Sequence, residues 1–184
     1  MKHLKVYLRN KYHLSNYQIA QIAFLFKTII SELSKILIMG ILFHEKLSFY
    51  LFALFIMIIV RSAMGGLHFY TYISCLATSM LYLGLCLYIL PGITLVKYLQ
   101  LALLLACIII CNKIGPITSK YRPDSCRQYF ERCIKFITII ILIYALILYI
   151  MPENQYLSIG FWVIILHSLQ LIAAKIRKKG EHIK

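Results

Sequence analysis

A histidine and a cysteine seven residues apart are the side chains of this sequence best suited to chemistry. His68 and Cys75 lie at the edge of a strongly apolar segment, close to the only Gly-Gly pair of the chain, Gly65-Gly66. A membrane segment seldom keeps an ionisable side chain unless that side chain lines a cavity or takes part in a reaction. A cysteine beside an imidazole can form a thiolate nucleophile with its own base. The pattern therefore predicts a membrane-embedded cysteine peptidase.

The two side chains could not act directly on each other within one continuous helix. Seven residues rise about 10 Å along a helix axis, whereas a nucleophile and its base lie about 3 Å apart. The Gly-Gly pair offers a solution, because glycine adopts backbone torsions that interrupt a helix. We expect a break between Met64 and His68 and a new helix beginning near residues 69–72. Cys75 would then lie in the first turns of that helix, whose positive end favours a thiolate.

Simpler interpretations remain open for each of these residues. A histidine at a membrane surface often serves only as a polar anchor, and a cysteine inside a span usually packs like a small apolar side chain. Arg61, four residues before the Gly-Gly pair, could hold a substrate carboxylate, fix the backbone, or act only as a topology signal. The co-occurrence of His68, Cys75 and Arg61 around the Gly-Gly pair favours the catalytic interpretation.

Composition indicates a membrane protein. Of the 184 residues, 61% are hydrophobic and 14% are charged, against about 45–50% and 25% in soluble domains. The chain carries 20 Lys and Arg against 6 Asp and Glu. We attribute this surplus to positive-inside topology and anionic lipid rather than to nucleic acid, and an acidic peptide partner is compatible with it.

The hydropathy pattern predicts an all-α, polytopic membrane protein with about six transmembrane segments and a single membrane domain, residues 1–184. Residues 1–14 are predicted as a basic amphipathic helix and residues 112–135 as a basic cytoplasmic loop that is helical from about Ser125. The first or third segment could be partly re-entrant. The predicted spans are residues 18–43, 47–64, 70–90, 93–111, 134–151 and 156–174.

The distribution of cations sets the expected orientation. With both termini in the cytoplasm, nearly all Lys and Arg of the loops and tails lie on the inner side, and the outer turns hold only Lys46. The Gly-Gly pair and the mouth of the His68–Cys75 site then open to the cytoplasm.

The sequence also supports predictions for three further groups of side chains. Glu32 and Lys35 share a face of the first segment and are expected to pair, either as a structural element or in support of the active site. Lys120 and Arg122 of the basic loop would suit an acidic peptide. The six cysteines show no metal-binding spacing, so we expect no metal and no cofactor; Cys126 and Cys133 are expected to be exposed.

The motif around the Gly-Gly pair resembles a known family. Arg61-x3-Gly65-Gly66-x-His68-x6-Cys75 is similar to the accessory gene regulator B (AgrB) family, the membrane endopeptidases of Gram-positive quorum sensing. Chain length, span pattern, the charged pair in the first segment and the basic loop after the fourth resemble that family too. The resemblance covers essentially the whole chain.

The resemblance implies an activity and a substrate. Cys75 would be the nucleophile and His68 its general base, while Arg61 and Gly66 match positions required in the family. The substrate would be a precursor peptide with an amphipathic leader and an acidic C-terminal tail. Cys75 would cleave before the tail and hold the rest as a thioester, from which a thiolactone or lactone ring can close. The resemblance also implies the plasma membrane of a Gram-positive bacterium.

Two other classes of function compete with this one. A peptide exporter or non-enzymatic scaffold could be lined by the charges of the first segment and by His167 and Gln170 of the last. A different membrane cysteine enzyme, such as an acyltransferase, is the third hypothesis. The sequence leaves open whether the chain forms a homodimer.

Overall fold

Helices are the only regular secondary structure in the part of the protein that the structure describes. The computed structural model describes residues 15–66, 71–117, 127–151 and 154–181. The prediction of an all-α fold is confirmed. Three short turns separate some of the helices: 3-10 helices at His44–Lys46 and Leu90–Gly92, and a π-helical turn at Leu85–Ile89. The six helices are α1 (Asn16–Leu42), α2 (Leu47–Met64), α3 (Tyr72–Gly84), α4 (Lys97–Ile114), α5 (Arg127–Ile150) and α6 (Gln155–Glu181).

Five helical segments are long and apolar enough to cross a membrane, so this is a multi-pass membrane protein. They are His44–Met64, Tyr72–Gly92, Lys97–Ile114, Gln128–Ile150 and Gln155–Arg177. The first helix, predicted as a span, is not among the five. It carries Lys27, Glu32 and Lys35 within its length, and each charge opposes transfer into hydrocarbon.

The chain divides into two compact units, residues 1–44 and 45–184. In the first unit, Ser15 begins α1 with a capping box: its side chain accepts a hydrogen bond from the Gln18 amide, and the Gln18 side chain accepts one from the Ser15 amide. The predicted pairing of Glu32 with Lys35 is confirmed. Lys35 Nζ lies 2.7 Å from Glu32 Oε1, one turn away on the same helix.

The core of the second unit is built from four helices. α2 and α4 each contact both α5 and α6, and their apolar side chains fill the space between. Tyr144 on α5 donates a hydrogen bond to the Leu157 carbonyl of α6, which joins those two helices as well. The buried cluster comprises Val60, Ala63, Met64, Leu104, Cys107, Cys111, Ile137, Ile141, Tyr144, Leu148, Phe161, Ile164 and Leu171.

The carboxyl ends of α2, α4 and α6 lie at the same end of the second unit. The Ile117 amide, just after α4, donates to the Met64 carbonyl at the end of α2. Lys175 Nζ on α6 donates to the Lys113 carbonyl in the last turn of α4, 3.3 Å away. α3 runs in the opposite direction to α2. This follows from the hydrogen bond that Lys46 Nζ, before the start of α2, donates to the Leu87 carbonyl beyond the end of α3.

Cations concentrate at the end where α2, α4 and α6 terminate. Among the described residues of the second unit, Arg61, Lys113, Arg132, Lys135, Lys175 and Arg177 belong to helix segments near that end. The opposite end holds Lys46 and Lys97, and Lys97 Nζ lies 3.4 Å from the Met151 carbonyl oxygen. α4 extends to Ile114 and α5 begins at Arg127, so the second half of the predicted loop 112–135 is helical, as expected.

Candidate functional site

The helix break predicted from the Gly-Gly pair is present. α2 ends at Met64, Gly65 adopts φ +73° and ψ −149°, and the next helix begins at Tyr72. This backbone region is essentially restricted to glycine. The prediction of an interruption between Met64 and His68 is therefore confirmed as far as Gly66, beyond which residues 67–70 lie outside the described part of the chain.

Gly65 is held against the connection that follows α4. The Ile117 amide donates to the Met64 carbonyl over 3.0 Å. A Cβ atom at Gly65 would collide with the Ile117 carbonyl oxygen. The two backbones approach closely at this point because residue 65 has no side chain, and the approach fixes where the chain leaves α2.

Gly66 lies against the side chain of Arg61. Gly66 is buried and Arg61 is half-buried. A Cβ atom at Gly66 would be 3.1 Å from Arg61 Nε and 3.6 Å from Arg61 Cγ. The Gly65 amide also donates to the Arg61 carbonyl over 2.8 Å, which closes the last turn of α2. Gly66 and the Arg61 side chain thus pack against each other, and the missing side chain at residue 66 leaves room for the guanidinium.

Cys75 lies at the beginning of α3. Thr71 caps this helix: its hydroxyl accepts a hydrogen bond from the Ser74 amide and donates one to Ser74 Oγ, 2.7 Å away. The Cys75 amide donates to the Thr71 carbonyl over 3.2 Å, the first backbone hydrogen bond of the helix. Cys75 is half-buried, whereas Tyr72 and Ile73 beside it are exposed. The expected position of Cys75 in the first turns of a helix is confirmed.

The Thr71 cap was not predicted from the sequence. Its signal was a threonine directly before a helix start, the preferred kind of N-cap residue. The cap matters to the site because it fixes the first turn, and with it the backbone of Cys75, three residues after the first helical residue.

Several predicted site residues are not tested by this geometry. His68, Lys120 and Arg122 lie outside the described residues, so the separation of the His68 and Cys75 side chains stays a prediction. Glu32 and Lys35 belong to the other compact unit, and a role for their ion pair in the site also stays a prediction.

Burial separates Cys75 from the other described cysteines. Cys86, Cys107 and Cys111 are buried within the bundle, whereas Cys75 is half-buried. The expectation that Cys133 is exposed is wrong: its exposed fraction is 8%, because its position on α5 turns toward the core rather than toward the cation-rich surface. Cys126 lies outside the described part of the chain.

The positive charge of Arg61 acts on two buried side chains inside the bundle. They are Tyr82 on α3 and His167 on α6. The Tyr82 hydroxyl donates to the Val163 carbonyl of α6 over 2.6 Å. The charge of Arg61 therefore acts on the interior of the bundle as well as at the helix break.

Comparison with known proteins identifies one family. The family model described as AgrB, Accessory gene regulator B, matches residues 2–171, which is most of the chain and includes every residue of the motif around the Gly-Gly pair. No curated protein and no solved structure matches the chain significantly.

Proposed function

Because the chain belongs to the accessory gene regulator B family, and so acts in peptide-based quorum sensing, we propose that it is a cysteine endopeptidase whose nucleophile is Cys75. The observation that carries this proposal is the helix break at Gly65. It leaves a half-buried thiol in the first turn of a capped helix whose neighbouring residues are exposed. The positive end of that helix favours negative charge on the sulfur, as a thiol nucleophile requires.

The first half of the reaction is an acyl transfer to Cys75. His68 takes the thiol proton, and the thiolate attacks the carbonyl carbon of the peptide bond that precedes the acidic tail. The C–S bond forms, the C–N bond breaks, and the departing amine takes the proton from His68. The precursor remains attached to Cys75 as a thioester, and the tail is released.

The second half of the reaction regenerates the free enzyme and forms the cyclic product. A cysteine or serine of the precursor gives its proton to His68 and attacks the thioester carbonyl. A new C–S or C–O bond closes a thiolactone or lactone ring, the C–S bond to Cys75 breaks, and the Cys75 thiolate takes the proton back from His68. A site shielded from water favours this ring closure over hydrolysis of the thioester.

Charge distribution supports a cytoplasmic mouth for this site. The Gly65 break and the start of α3 lie at the end of the second unit where α2 terminates, and this end carries most of the cations that the structure describes in that unit. The positive-inside rule assigns such an end to the cytoplasm. Cations there would also attract an acidic peptide tail, with Lys120 and Arg122 of the connection after α4 as its proposed partners.

The test is cleavage of a precursor peptide by purified protein in lipid nanodiscs, followed by mass spectrometry. Cys75→Ala should abolish tail release, and Cys86→Ala, which alters a buried thiol, should leave it within a few-fold. His68→Ala should slow cleavage strongly. A thioester between Cys75 and the precursor should be trapped at low pH and should disappear on treatment with hydroxylamine.

Two outcomes would favour other functions. Tail release by the Cys75→Ala protein would contradict the peptidase and favour an exporter or scaffold. A Cys75 adduct whose mass corresponds to a fatty acyl group instead of the precursor would identify an acyltransferase.

A further inference from the structure

His167 is a buried imidazole that the proposed reaction does not use. Its side chain is 1% exposed, and neither ring nitrogen has a hydrogen-bond partner among the residues that the structure describes. Burying such a group unpaired costs free energy, and the cost is high in the interior of a membrane protein. An apolar side chain would fill the same space more cheaply, so the retained imidazole points to a role in binding.

The surroundings of His167 favour an acceptor as its partner. The Arg61 guanidinium, which carries only donors, lies within electrostatic range of the ring. A neutral imidazole offers one N–H donor and one acceptor nitrogen. The adjacent Ser168 hydroxyl donates to the Ile164 carbonyl instead. The N–H donor of His167 therefore lies in the positive potential of Arg61, which suits an oxygen atom as its partner.

His167 and Cys75 lie at similar depths along the axis of the bundle. The hydrogen bond from Tyr82 to Val163 sets α3 and α6 in register, and the two helices run in opposite directions. At about 1.5 Å per residue, Cys75 lies about 10 Å from Tyr82 and His167 about 6 Å from Val163, both toward the end where α2 terminates. His167 is therefore about one helical turn deeper in the bundle than Cys75.

We propose that His167 forms an internal subsite that donates a hydrogen bond to an acceptor oxygen of the precursor peptide, either a backbone carbonyl or a carboxylate, while Cys75 holds the scissile bond. This proposal rests on the proposed function and deepens it. The subsite would anchor the peptide one turn below the nucleophile. His167 is a substrate-binding residue in this scheme and exchanges no proton in the reaction.

The subsite is tested by peptide binding without chemistry, in protein that carries Cys75→Ala. The probe is a synthetic, fluorescein-labelled peptide with an amphipathic leader, a central cysteine and an acidic tail, added to protein in lipid nanodiscs. His167→Leu should weaken its affinity about tenfold, which corresponds to about 1.4 kcal/mol. His167→Gln, which keeps an N–H donor, should restore part of the loss, and Ser168→Ala is the matched control with unchanged affinity.

Thermal stability separates binding from a structural role. His167→Leu removes an unpartnered buried polar group, so its Tm should equal or exceed that of the parent protein. A lowered Tm together with weaker binding would mean that His167 only supports the fold, and would overturn the subsite. Unchanged affinity in His167→Leu would overturn it too.

A second peptide identifies the source of the oxygen. In this peptide every tail Asp and Glu is replaced by Asn and Gln. If His167→Leu weakens its binding as well, the bound oxygen is a backbone carbonyl; if the effect disappears, it is a carboxylate. Failure of the acidic-tailed peptide to bind protein that retains His167 would overturn the proposed function together with the subsite, whereas binding insensitive to His167 overturns the subsite alone.

Discussion

The backbone amide of Ile117 donates a hydrogen bond to the backbone carbonyl of Met64, with 3.0 Å between nitrogen and oxygen. This contact joins the residue before the Gly-Gly break to the connection that follows α4. Lys120 and Arg122 come three and five residues after Ile117. A peptide tail bound by those cations would therefore be connected through one short backbone segment to the turn that precedes Cys75.

Gly65→Ala should disrupt this contact. The new Cβ would collide with the Ile117 carbonyl, and φ +73° with ψ −149° strains any residue other than glycine, by about 1–3 kcal/mol. We expect a lower Tm and at least tenfold slower cleavage. Gly92→Ala is the control, because a Cβ there meets no atom within 4 Å. Parental Tm and activity in Gly65→Ala would contradict the importance of the contact.

Gly66→Ala should act through Arg61. A Cβ 3.1 Å from Arg61 Nε obliges that side chain to shift, so we expect a roughly tenfold loss in kcat/KM. Arg61→Gln should lower kcat/KM on its own. In the double variant the two losses should not add, because residues in contact couple energetically. Fully additive losses in this double-mutant cycle would indicate that the two residues act independently.

Alkylation should identify Cys75 as the most reactive thiol. Cys75 is half-buried at a helix start, whereas Cys86, Cys107 and Cys111 are buried. Each thiol is measured in a variant that retains that cysteine alone, with a membrane-permeable maleimide near neutral pH and mass spectrometry as the readout. Cys133, also buried, should label slowly despite the cations near it in sequence. Faster labelling of any of these four than of Cys75 would argue against a thiolate at Cys75.

Charge reversal at Lys120 and Arg122 should raise the apparent KM for a precursor with an acidic tail. The effect should shrink as salt is added, because exposed charges are screened within about 10 Å at ordinary ionic strength. Lys97→Glu, at the opposite end of the bundle, is the control. An unchanged KM in correctly inserted protein would leave the two residues with a role in topology only.

Tyr82→Phe should loosen α3. It removes the hydrogen bond to the Val163 carbonyl, and hydrogen bonds between membrane helices contribute about 1 kcal/mol. A Tm lowered by a few degrees is expected, with a smaller effect on cleavage because the bond lies about 10 Å from Cys75. Tyr98→Phe, at a side chain that is 79% exposed, is the matched control, and equal Tm values for the two variants would contradict the role of the bond.

Local features of the sequence were sufficient to predict much of this structure. Apolar runs predicted α2 at residues 47–64 with both ends correct, and the Gly-Gly pair predicted the break after Met64. Such features depend on a few neighbouring residues, since helix formation and glycine torsions are local properties. The spacing of Glu32 and Lys35 predicted their ion pair for the same reason.

The relationships between distant residues were decided only by the tertiary structure. The contact of Gly65 with Ile117, the hydrogen bond from Tyr82 to Val163 and the burial of Cys133 involve segments far apart in the chain. They depend on which faces of the helices pack together, and an apolar helix of a membrane protein hides this choice, because its lipid-facing and core-facing side chains are equally hydrophobic. The sequence therefore determined where Cys75 would lie along its helix, and packing determined what surrounds it.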